Sequence, residues 1–204
     1  MFSRNLMNRR HAISIAASLG ASALLGACMQ AKPQFKAIDL TGADYAKDFQ
    51  LPDANGQVRS LQEFRGKIVV LFFGYTQCPD VCPTTMAELA EAKRLLGPDG
   101  AKVQGILVTV DPLRDTPEVL KGYASNFDPT FIALRGTPDQ VAATTKDFKV
   151  FYKKVEGKTP TSYTMDHSAA SFVYDTKGQL RLYSRYGSGA QALADDLKLL
   201  LKQA

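Results

Sequence analysis

The sequence contains few of the side chains that bind soft metal ions or exchange electrons, with three cysteines and two histidines among its 204 residues. Cys28 and His11 lie near the N-terminus, so the rest of the chain has only Cys78, Cys82 and His167. A disulfide between the two later cysteines would close so small a loop that it would remove little entropy from the unfolded chain. A chain of this length can also bury enough surface to fold without a covalent link. A purely structural disulfide therefore explains little.

A long hydrophobic run is also missing. The apolar stretch at residues 12–25 is short and is interrupted by three serines, so it is too weak to span a bilayer as a mature helix. Three arginines precede it and Leu25-Gly26-Ala27-Cys28 follows, which is the order of a positive region, an apolar region and a cleavage site. We predict that residues 1–27 are a signal peptide that is removed.

The cleavage region resembles the lipobox of bacterial lipoproteins, in which the cysteine carries the lipid and becomes the new N-terminus. We expect Cys28 to be lipidated, residues 28–48 to form a tether with few large apolar side chains, and residues 49–204 to form the folded domain. These expectations place the protein outside the cytoplasm, anchored by lipid to a bacterial membrane and facing the periplasm. Disulfides can persist in that compartment.

The excess of positive charge is concentrated in the leader. The full chain has 25 basic and 20 acidic residues, but residues 1–27 contribute three arginines and no acid, which leaves 22 basic against 20 acidic residues. No basic run with interleaved aromatic residues remains in the predicted domain. We therefore expect no nucleic-acid partner.

Alternating buried strands and amphipathic helices predict an α/β domain. The apolar run at residues 68–75 is typical of a strand covered on both faces, and Thr116 and Thr137 each precede a proline that favours a helix start. Asn55-Gly56 predicts a turn between two short N-terminal strands. The predicted elements are, in order, this hairpin at 49–61, strand 68–75, helix 84–96, strand 103–110, a helix from 117, strand 131–134, a helix from 138, a hairpin of strands 170–174 and 180–186, and a final helix that includes 193–201. With Cys78 after the first core strand, this order predicts a thioredoxin-like fold, a central mixed sheet flanked by helices.

Cys78 and Cys82 lie between a buried strand and a helix, where thioredoxin-like redox proteins carry their cysteines. Redox pairs are usually separated by two residues, and here the gap is three. The positive end of the helix should favour thiolates, which soft metal ions prefer. His167 precedes the strand at 170–174, in a segment that faces the cysteine loop in this fold. Two thiolates and one imidazole make a three-coordinate site suited to Cu(I), and with one added ligand to Cu(II).

Several polar residues near these three candidates have open roles. Asp166 either orients the imidazole or caps a turn. Asp80, between the cysteines, either adds negative charge beside a metal or is a solvated loop carboxylate. Arg114 and Asp115 are expected near the cysteine loop, but not as ligands.

Three separated motifs resemble the Sco/SenC family of copper proteins: Cys-Pro-Asp-Val-Cys-Pro at 78–83 after Phe-Phe-Gly-Tyr-Thr, Val-Asp-Pro-Leu-Arg-Asp-Thr-Pro at 110–117, and Asp-His-Ser at 166–168. The resemblance covers roughly residues 49–201 and implies a thioredoxin-like fold with copper bound by Cys78, Cys82 and His167. It also implies a role in assembling the binuclear copper centre of cytochrome c oxidase subunit II. That subunit, other periplasmic copper carriers and the membrane that holds the lipid are the implied partners.

Two functions are consistent with these residues. The first is a copper metallochaperone, which is not a classical enzyme. The second is a thiol-disulfide reductase that uses Cys78 and Cys82 as its redox pair and keeps the cysteines of the oxidase copper site reduced. A peroxidase acting through Cys78 would need dedicated partners around one activated thiolate, and a structural zinc site needs four ligands where this sequence offers three.

Overall fold

The computed structural model describes residues 34–159 and 162–203, and from Phe35 onward the chain forms one compact unit. The signal peptide predicted at residues 1–27, the lipidation site at Cys28 and the first part of the predicted tether lie outside the described residues. None of the helices in the described part of the chain is long and apolar enough to cross a membrane.

The described residues contain ten β-strands and four α-helices. The strands are β1 Ile38–Asp39, β2 Leu51–Pro52, β3 Val58–Arg59, β4 Ile68–Gly74, β5 Val103–Thr109, β6 Ile132–Leu134, β7 Tyr152–Val155, β8 Thr164–His167, β9 Ala170–Tyr174 and β10 Leu180–Arg185. The helices are α1 Val81–Leu95, α2 Pro117–Ser125, α3 Pro138–Asp147 and α4 Ala190–Leu201, with short 3-10 segments at Leu61–Phe64 and Gly97–Lys102.

Six of the strands form a mixed sheet in the order β1-β10-β9-β4-β5-β6. Strands β4, β5 and β6 run parallel, while β9, β10 and β1 add antiparallel to one side. Every residue of β4 and of β5 is buried, as expected for strands that pack against other elements on both faces. The predicted thioredoxin-like architecture, a mixed sheet flanked by helices with an N-terminal hairpin formed by β2 and β3, is confirmed.

The helix starts follow the predicted capping chemistry. The Thr116 side chain accepts a hydrogen bond from the Val119 N–H before α2, and the Thr137 side chain accepts one from Gln140 before α3. In both helices a proline occupies the first turn, where its missing N–H leaves no hydrogen bond unmade. These two caps fix the direction in which the chain leaves the sheet after β5 and β6.

The folded unit begins earlier than the predicted start at residue 49. Strand β1 pairs with β10, with Ile38 opposite Tyr183, and the buried Asp196 of α4 accepts hydrogen bonds of 2.8 Å from the N–H groups of Lys36 and Ala37. The side chains of Phe35, Leu40 and Tyr45 also pack against the core. A few large apolar residues among mostly small and polar ones give this segment the composition of a tether. Residues 35–48 therefore belong to the domain.

A second difference concerns the segment before His167. Strands β7 and β8 pair antiparallel as a separate two-stranded ribbon, with Tyr152 opposite His167. The sequence pattern does not predict strands at these positions. This ribbon carries the candidate histidine toward the end of β4, where the two cysteines lie.

Candidate metal centre

The cysteine loop leaves the sheet at the end of β4 and turns directly into α1. The Cys78 N–H donates to the Tyr75 carbonyl in a turn, and α1 begins at Val81, three residues earlier than predicted. Pro83 lies in the first turn, where a proline is tolerated, so it does not delay the helix start. The early start places Cys82 inside the helix and leaves Cys78 just ahead of it.

The two cysteines differ in their surroundings. Cys82 is 0 % exposed and belongs to the hydrophobic core, while Cys78 is half-buried. The Cys82 N–H, one of the free amide groups at the helix start, donates a hydrogen bond to the Cys78 sulfur at 3.4 Å. The pair therefore consists of one buried and one accessible sulfur.

Burial raises the pKa of the Cys82 thiol, and the hydrogen bond with Cys78 raises it further. The expectation that the helix end favours the thiolate is therefore wrong for Cys82 in the metal-free protein. The reason is that loss of hydration penalises the charged form by more than the partial charge of a helix end can offset. A bound metal ion would replace the proton and remove this penalty.

His167 reaches the cysteines from the last position of β8. Its Nε2 atom lies 3.4 Å from the Cys82 sulfur, and its Nδ1 atom lies 3.1 Å from the carbonyl oxygen of Ser168. A carbonyl oxygen only accepts hydrogen bonds, so Nδ1 carries the proton and Nε2 presents its lone pair to the sulfurs. This is the tautomer that binds a metal through Nε2.

The ligand atoms of Cys78, Cys82 and His167 all lie within 4.8 Å of one another. A thiolate and an imidazole on one ion lie about 3.5 Å apart, given bonds of about 2.3 and 2.0 Å and a near-tetrahedral angle. The observed 3.4 Å between the Cys82 sulfur and Nε2 already has this value. The three side chains that the sequence indicated are therefore brought together, and the site fits a soft metal ion with little rearrangement.

Aromatic rings hold the imidazole in place. The His167 ring meets Phe72 edge-on at a centroid distance of 5.8 Å and Tyr75 at 5.9 Å. Burial among these rings lowers the pKa of His167, and this effect exceeds the opposing ones of the Ser168 hydrogen bond and the Asp166 charge. The imidazole is therefore neutral at neutral pH, as a metal ligand must be.

We predict that His167 titrates below its ordinary pKa of 6.5 in the metal-free protein. Between the lowered pKa and 6.5, the folded state binds fewer protons than the unfolded state, so stability falls as the pH drops through this window. The measurement is a proton NMR titration of the imidazole resonances of protein from residue 28 onward, in which His167 is the only histidine. A midpoint at or above 6.5 in the folded protein would contradict the burial argument, and the same titration in denaturant provides the reference.

The two acidic neighbours of the site, Asp166 and Asp80, are both exposed. Asp166 is exposed and lies on the face of β8 opposite His167, because successive side chains of a strand alternate. The acceptor that orients the imidazole is instead the Ser168 carbonyl. Asp80 is also exposed and its carboxylate lies 3.4 Å from the Tyr186 hydroxyl, so it is a loop carboxylate beside the site.

Asp115 has a structural role that the sequence does not predict. It is 0 % exposed and accepts hydrogen bonds of 2.5 Å from the hydroxyls of Thr76 and Thr109. It also accepts a hydrogen bond from the Thr76 N–H. Asp115 therefore ties the cysteine loop to the end of β5. The signal that could have revealed it was an acid placed six residues after a threonine that ends a buried strand.

Gly74 is a second residue whose importance the sequence did not reveal. A Cβ atom at this position would lie 2.6 Å from a ring carbon of Phe72 and 2.9 Å from the Cys82 sulfur. Contacts this short cannot persist, so a larger residue must move the ring or the sulfur. A glycine at the end of the apolar run, directly before the cysteine loop, was the available signal.

We predict that Gly74→Ala lowers the free energy of unfolding by about 1–3 kcal/mol through overpacking. It should also displace the Cys82 sulfur, so the chemical shifts of His167 should change as well. Gly122→Ala is the matched control, because Gly122 lies in α2 and, apart from its chain neighbours and the adjacent helix backbone, no described atom lies within 4 Å of the added carbon. In a helix that change should raise stability by about 0.5–1 kcal/mol. Equal stabilities of the two variants by urea unfolding would contradict the packing argument.

The chain is similar in sequence to known proteins. Residues 39–202 match the SCO1/SenC family. The chain is 36 % identical over 152 residues to an SCO2-like protein of Rickettsia felis, covering 74 % of each protein. It is 39 % identical over 132 residues to an SCO2-like protein of Rickettsia prowazekii, covering 64 % of each, so the match spans less than two thirds of that relative.

Two solved structures resemble the chain in fold and sequence. The copper-bound structure of ScoI from Bradyrhizobium japonicum is 40 % identical with a TM-score of 0.68, and the match covers 75 % of this chain and 97 % of that one. The apo Sco1 structure from Thermus thermophilus is 39 % identical with a TM-score of 0.74, covering 83 % of this chain and 99 % of that one. Nearly the whole length of each solved chain is therefore matched.

Proposed function

The chain belongs to the SCO1/SenC family, and we propose that it is a copper metallochaperone. In this proposal Cys78, Cys82 and His167 bind copper and deliver it to the binuclear copper centre of cytochrome c oxidase subunit II. The family takes part in copper binding for cytochrome c oxidase assembly. The observation that carries the proposal is the meeting of two sulfurs and one imidazole nitrogen within 4.8 Å. Thiolates and imidazole are the donors that suit Cu(I), and the related ScoI from Bradyrhizobium japonicum has been solved with copper bound.

The difference between the two cysteines suits a carrier that must release its metal. Three protein ligands leave room for an incoming thiolate or imidazole, whereas a closed cage of four would retain the ion. Cys78 and His167 are half-buried while Cys82 is buried. An acceptor ligand therefore approaches copper from the side of Cys78 and His167, and Cys82 is the last ligand to dissociate from the ion. Copper keeps its oxidation state, and each released thiolate regains a proton from water.

The test is a transfer experiment with the reduced protein carrying one Cu(I). It is mixed with the metal-free copper-binding domain of a cytochrome c oxidase subunit II whose cysteines are reduced, and copper is measured on each protein after separation. Copper should move to the acceptor. His167→Ala protein should retain copper more weakly against a chelator, because one of three ligands is lost.

Two results would count against this function. The first is an acceptor that stays free of copper after prolonged mixing. The second is copper retention by His167→Ala equal to that of the unchanged protein. The matched control is Asp166→Ala, because Asp166 is the neighbouring side chain on the opposite face of β8 and should leave copper retention unchanged.

A thiol-disulfide reductase is the second candidate, and one observation favours it. The sulfur of the half-buried Cys78 accepts a hydrogen bond from the Cys82 N–H at the start of α1, while the Cys82 side chain is buried. An accessible attacking thiol with a second thiol behind it is the arrangement that resolves a mixed disulfide. In this reaction the dithiol of Cys78 and Cys82 becomes a disulfide, and the target disulfide takes up the two electrons and two protons.

The same acceptor distinguishes the two functions when its cysteines are first oxidised. A reductase should release two acceptor thiols for each Cys78–Cys82 disulfide formed, without copper, and His167→Ala should react as fast as the unchanged protein. A carrier should leave the oxidised acceptor unchanged on the same timescale. Thiol counting with a chromogenic disulfide reagent after separation provides the measurement.

We also infer that the protein acts outside the cytoplasm, held to the membrane by a lipid on Cys28. The support is the order of charge, apolar stretch and Leu25-Gly26-Ala27-Cys28 in the leader. In cells, the protein should fractionate with membranes, and Cys28→Ala should release it or leave its leader uncleaved. Mass spectrometry of the membrane form should find residue 28 as the lipid-bearing N-terminus, and an unmodified peptide spanning residues 25–36 would contradict this inference.

A further inference from the structure

The two halves of the metal site lie in different β-sheets of the described part of the chain. The cysteine loop extends from the six-stranded sheet, while His167 lies on β8, whose strand partner among the described residues is β7. Residues 168–169 tether the end of β8 to β9. The rest of the ribbon is held against the cysteine loop by side chains, and these contacts set the distance from the imidazole to the sulfurs.

Arg114 makes several of these contacts, in addition to those of the His167 ring with Phe72 and Tyr75. Its Nη1 atom donates to the Tyr163 carbonyl at 2.8 Å and to the Gln77 side-chain oxygen at 3.1 Å. Its guanidinium also lies 3.5 Å from the centre of the Tyr163 ring and 5.8 Å from that of Tyr75. One side chain therefore touches the residue that precedes β8 and two residues of the cysteine loop.

Asp111 also contacts both Arg114 and Tyr163. Its buried carboxylate accepts a hydrogen bond of 2.5 Å from Arg114 Nε and one of 2.8 Å from the Tyr163 hydroxyl. Tyr163 is thus held by its carbonyl, its ring face and its hydroxyl at the same time. Both holding residues come from the turn after β5, whose position is fixed by the sheet.

We propose that Arg114 is a positioning residue of the metal centre, which holds β8 against the cysteine loop so that His167 stays within bonding distance of the two sulfurs. The planar guanidinium can stack on a ring and donate in several directions within its plane, which a lysine ammonium cannot do. In the part of the chain that the structure describes, the hydrogen bonds and ring contacts of Arg114 go to residues other than the three ligands. Arg114 therefore acts through His167, and this inference rests on the proposed ligand set.

This indirect role makes a specific thermodynamic prediction. If Arg114 acts by placing His167, its replacement should weaken copper binding only while His167 is present. If Arg114 instead shapes the cysteine loop or stabilises the fold in general, its replacement should weaken binding with or without the histidine. A double-mutant cycle separates the two cases.

The experiment compares the Cu(I) affinity of four proteins: unchanged, Arg114→Lys, His167→Ala and the double variant, each by competition with a chromophoric chelator. Arg114→Lys should lower the affinity about tenfold, the lower end of the effect of residues that orient metal ligands. In the His167→Ala background the same change should alter the affinity by less than about twofold, within the additivity error of such cycles. In metal-free Arg114→Lys, NMR contacts of the His167 ring with Phe72 and Tyr75 should weaken.

Arg181→Lys is the matched control. Arg181 is equally buried, with 15 % of its side chain exposed, and also pairs with a buried aspartate, Asp175, but it bonds to Thr41 and Gln203 away from the site. It should cost comparable stability and leave the affinity unchanged. An Arg114→Lys effect of the same size in both backgrounds, or no effect in either, overturns the positioning role. If His167→Ala itself leaves the affinity unchanged, the proposed ligand set fails, and this inference fails with it.

Discussion

Replacing Cys82 with serine should weaken copper binding by on the order of 100-fold or more. The substitution keeps the shape of the side chain but exchanges a soft thiolate for a hydroxyl that stays protonated at neutral pH, and soft ions bind such oxygens poorly. Four-ligand sites bind zinc with about 10–16 kcal/mol, so one ligand is worth about 3 kcal/mol, which corresponds to this factor. Competition against a chelator of known affinity, under reducing conditions, provides the measurement.

The control for this prediction is Met86→Leu. Met86 is also buried and lies one turn further along α1, so the change removes a sulfur near the site without removing a ligand. A volume-conserving swap of this kind should cost less than about 1.5 kcal/mol of stability and leave copper affinity unchanged. Copper affinity of Cys82→Ser within threefold of the unchanged protein would remove this cysteine from the ligand set.

The core strands and helices could be predicted from the sequence because their signals are local. The apolar run that forms β4 and the threonine-proline pairs that start α2 and α3 each determine their structure within a few residues. The chain order of these elements then restricts the topology to a few arrangements, one of which places Cys78 at the end of β4. The juxtaposition of His167 with the cysteines followed from that topology.

The elements that escaped prediction lack a local signal. Strand β1 has two residues, and all four residues of β7 are at least partly exposed, so neither shows the alternation that marks a half-buried strand. Their structure depends on partners distant in sequence: β1 pairs with β10, and β7 pairs with β8 across a connection of eight residues. Strands of this kind are recognisable only once the partner is in place.

The polar contacts around the metal centre could not be predicted from the sequence, because they also depend on partners distant in the chain. The Tyr163 hydroxyl bonds to Asp111 across 52 residues, and Thr76 bonds to Asp115 across 39. The motif at 110–117 indicated a strand end, a turn and a capped helix, and all three are present. The acidic and basic side chains of this motif could equally have been solvated in such a turn. Only the fold shows that they face the cysteine loop and the ribbon of β7 and β8 that carries His167.

Replacing Asp115 with alanine should lower the free energy of unfolding by about 3–5 kcal/mol. The change leaves the hydroxyls of Thr76 and Thr109 and the Thr76 N–H without their buried acceptor, and it opens a cavity. It should also loosen the cysteine loop and weaken copper binding. Asp196→Ala is the matched control, because Asp196 is also buried, with 1 % of the residue exposed. Its carboxylate accepts hydrogen bonds from the backbone N–H groups of Lys36 and Ala37. It should cost stability but leave copper affinity unchanged.

The conservative variant Asp115→Asn separates hydrogen bonding from charge. Burial raises the pKa of Asp115 above its ordinary 3.8, and this effect exceeds that of the hydrogen bonds from the threonines. A raised folded pKa favours folding while the carboxyl is protonated, and this contribution is lost as the pH rises through the folded value. Asp115→Asn cannot ionise, so its stability relative to the unchanged protein should improve from pH 3 to pH 7, and at neutral pH it should cost only about 1 kcal/mol. Urea unfolding across this range gives the comparison. If the asparagine variant instead loses stability relative to the unchanged protein as the pH rises, the charge itself holds the cysteine loop, and hydrogen bonding is the smaller contribution.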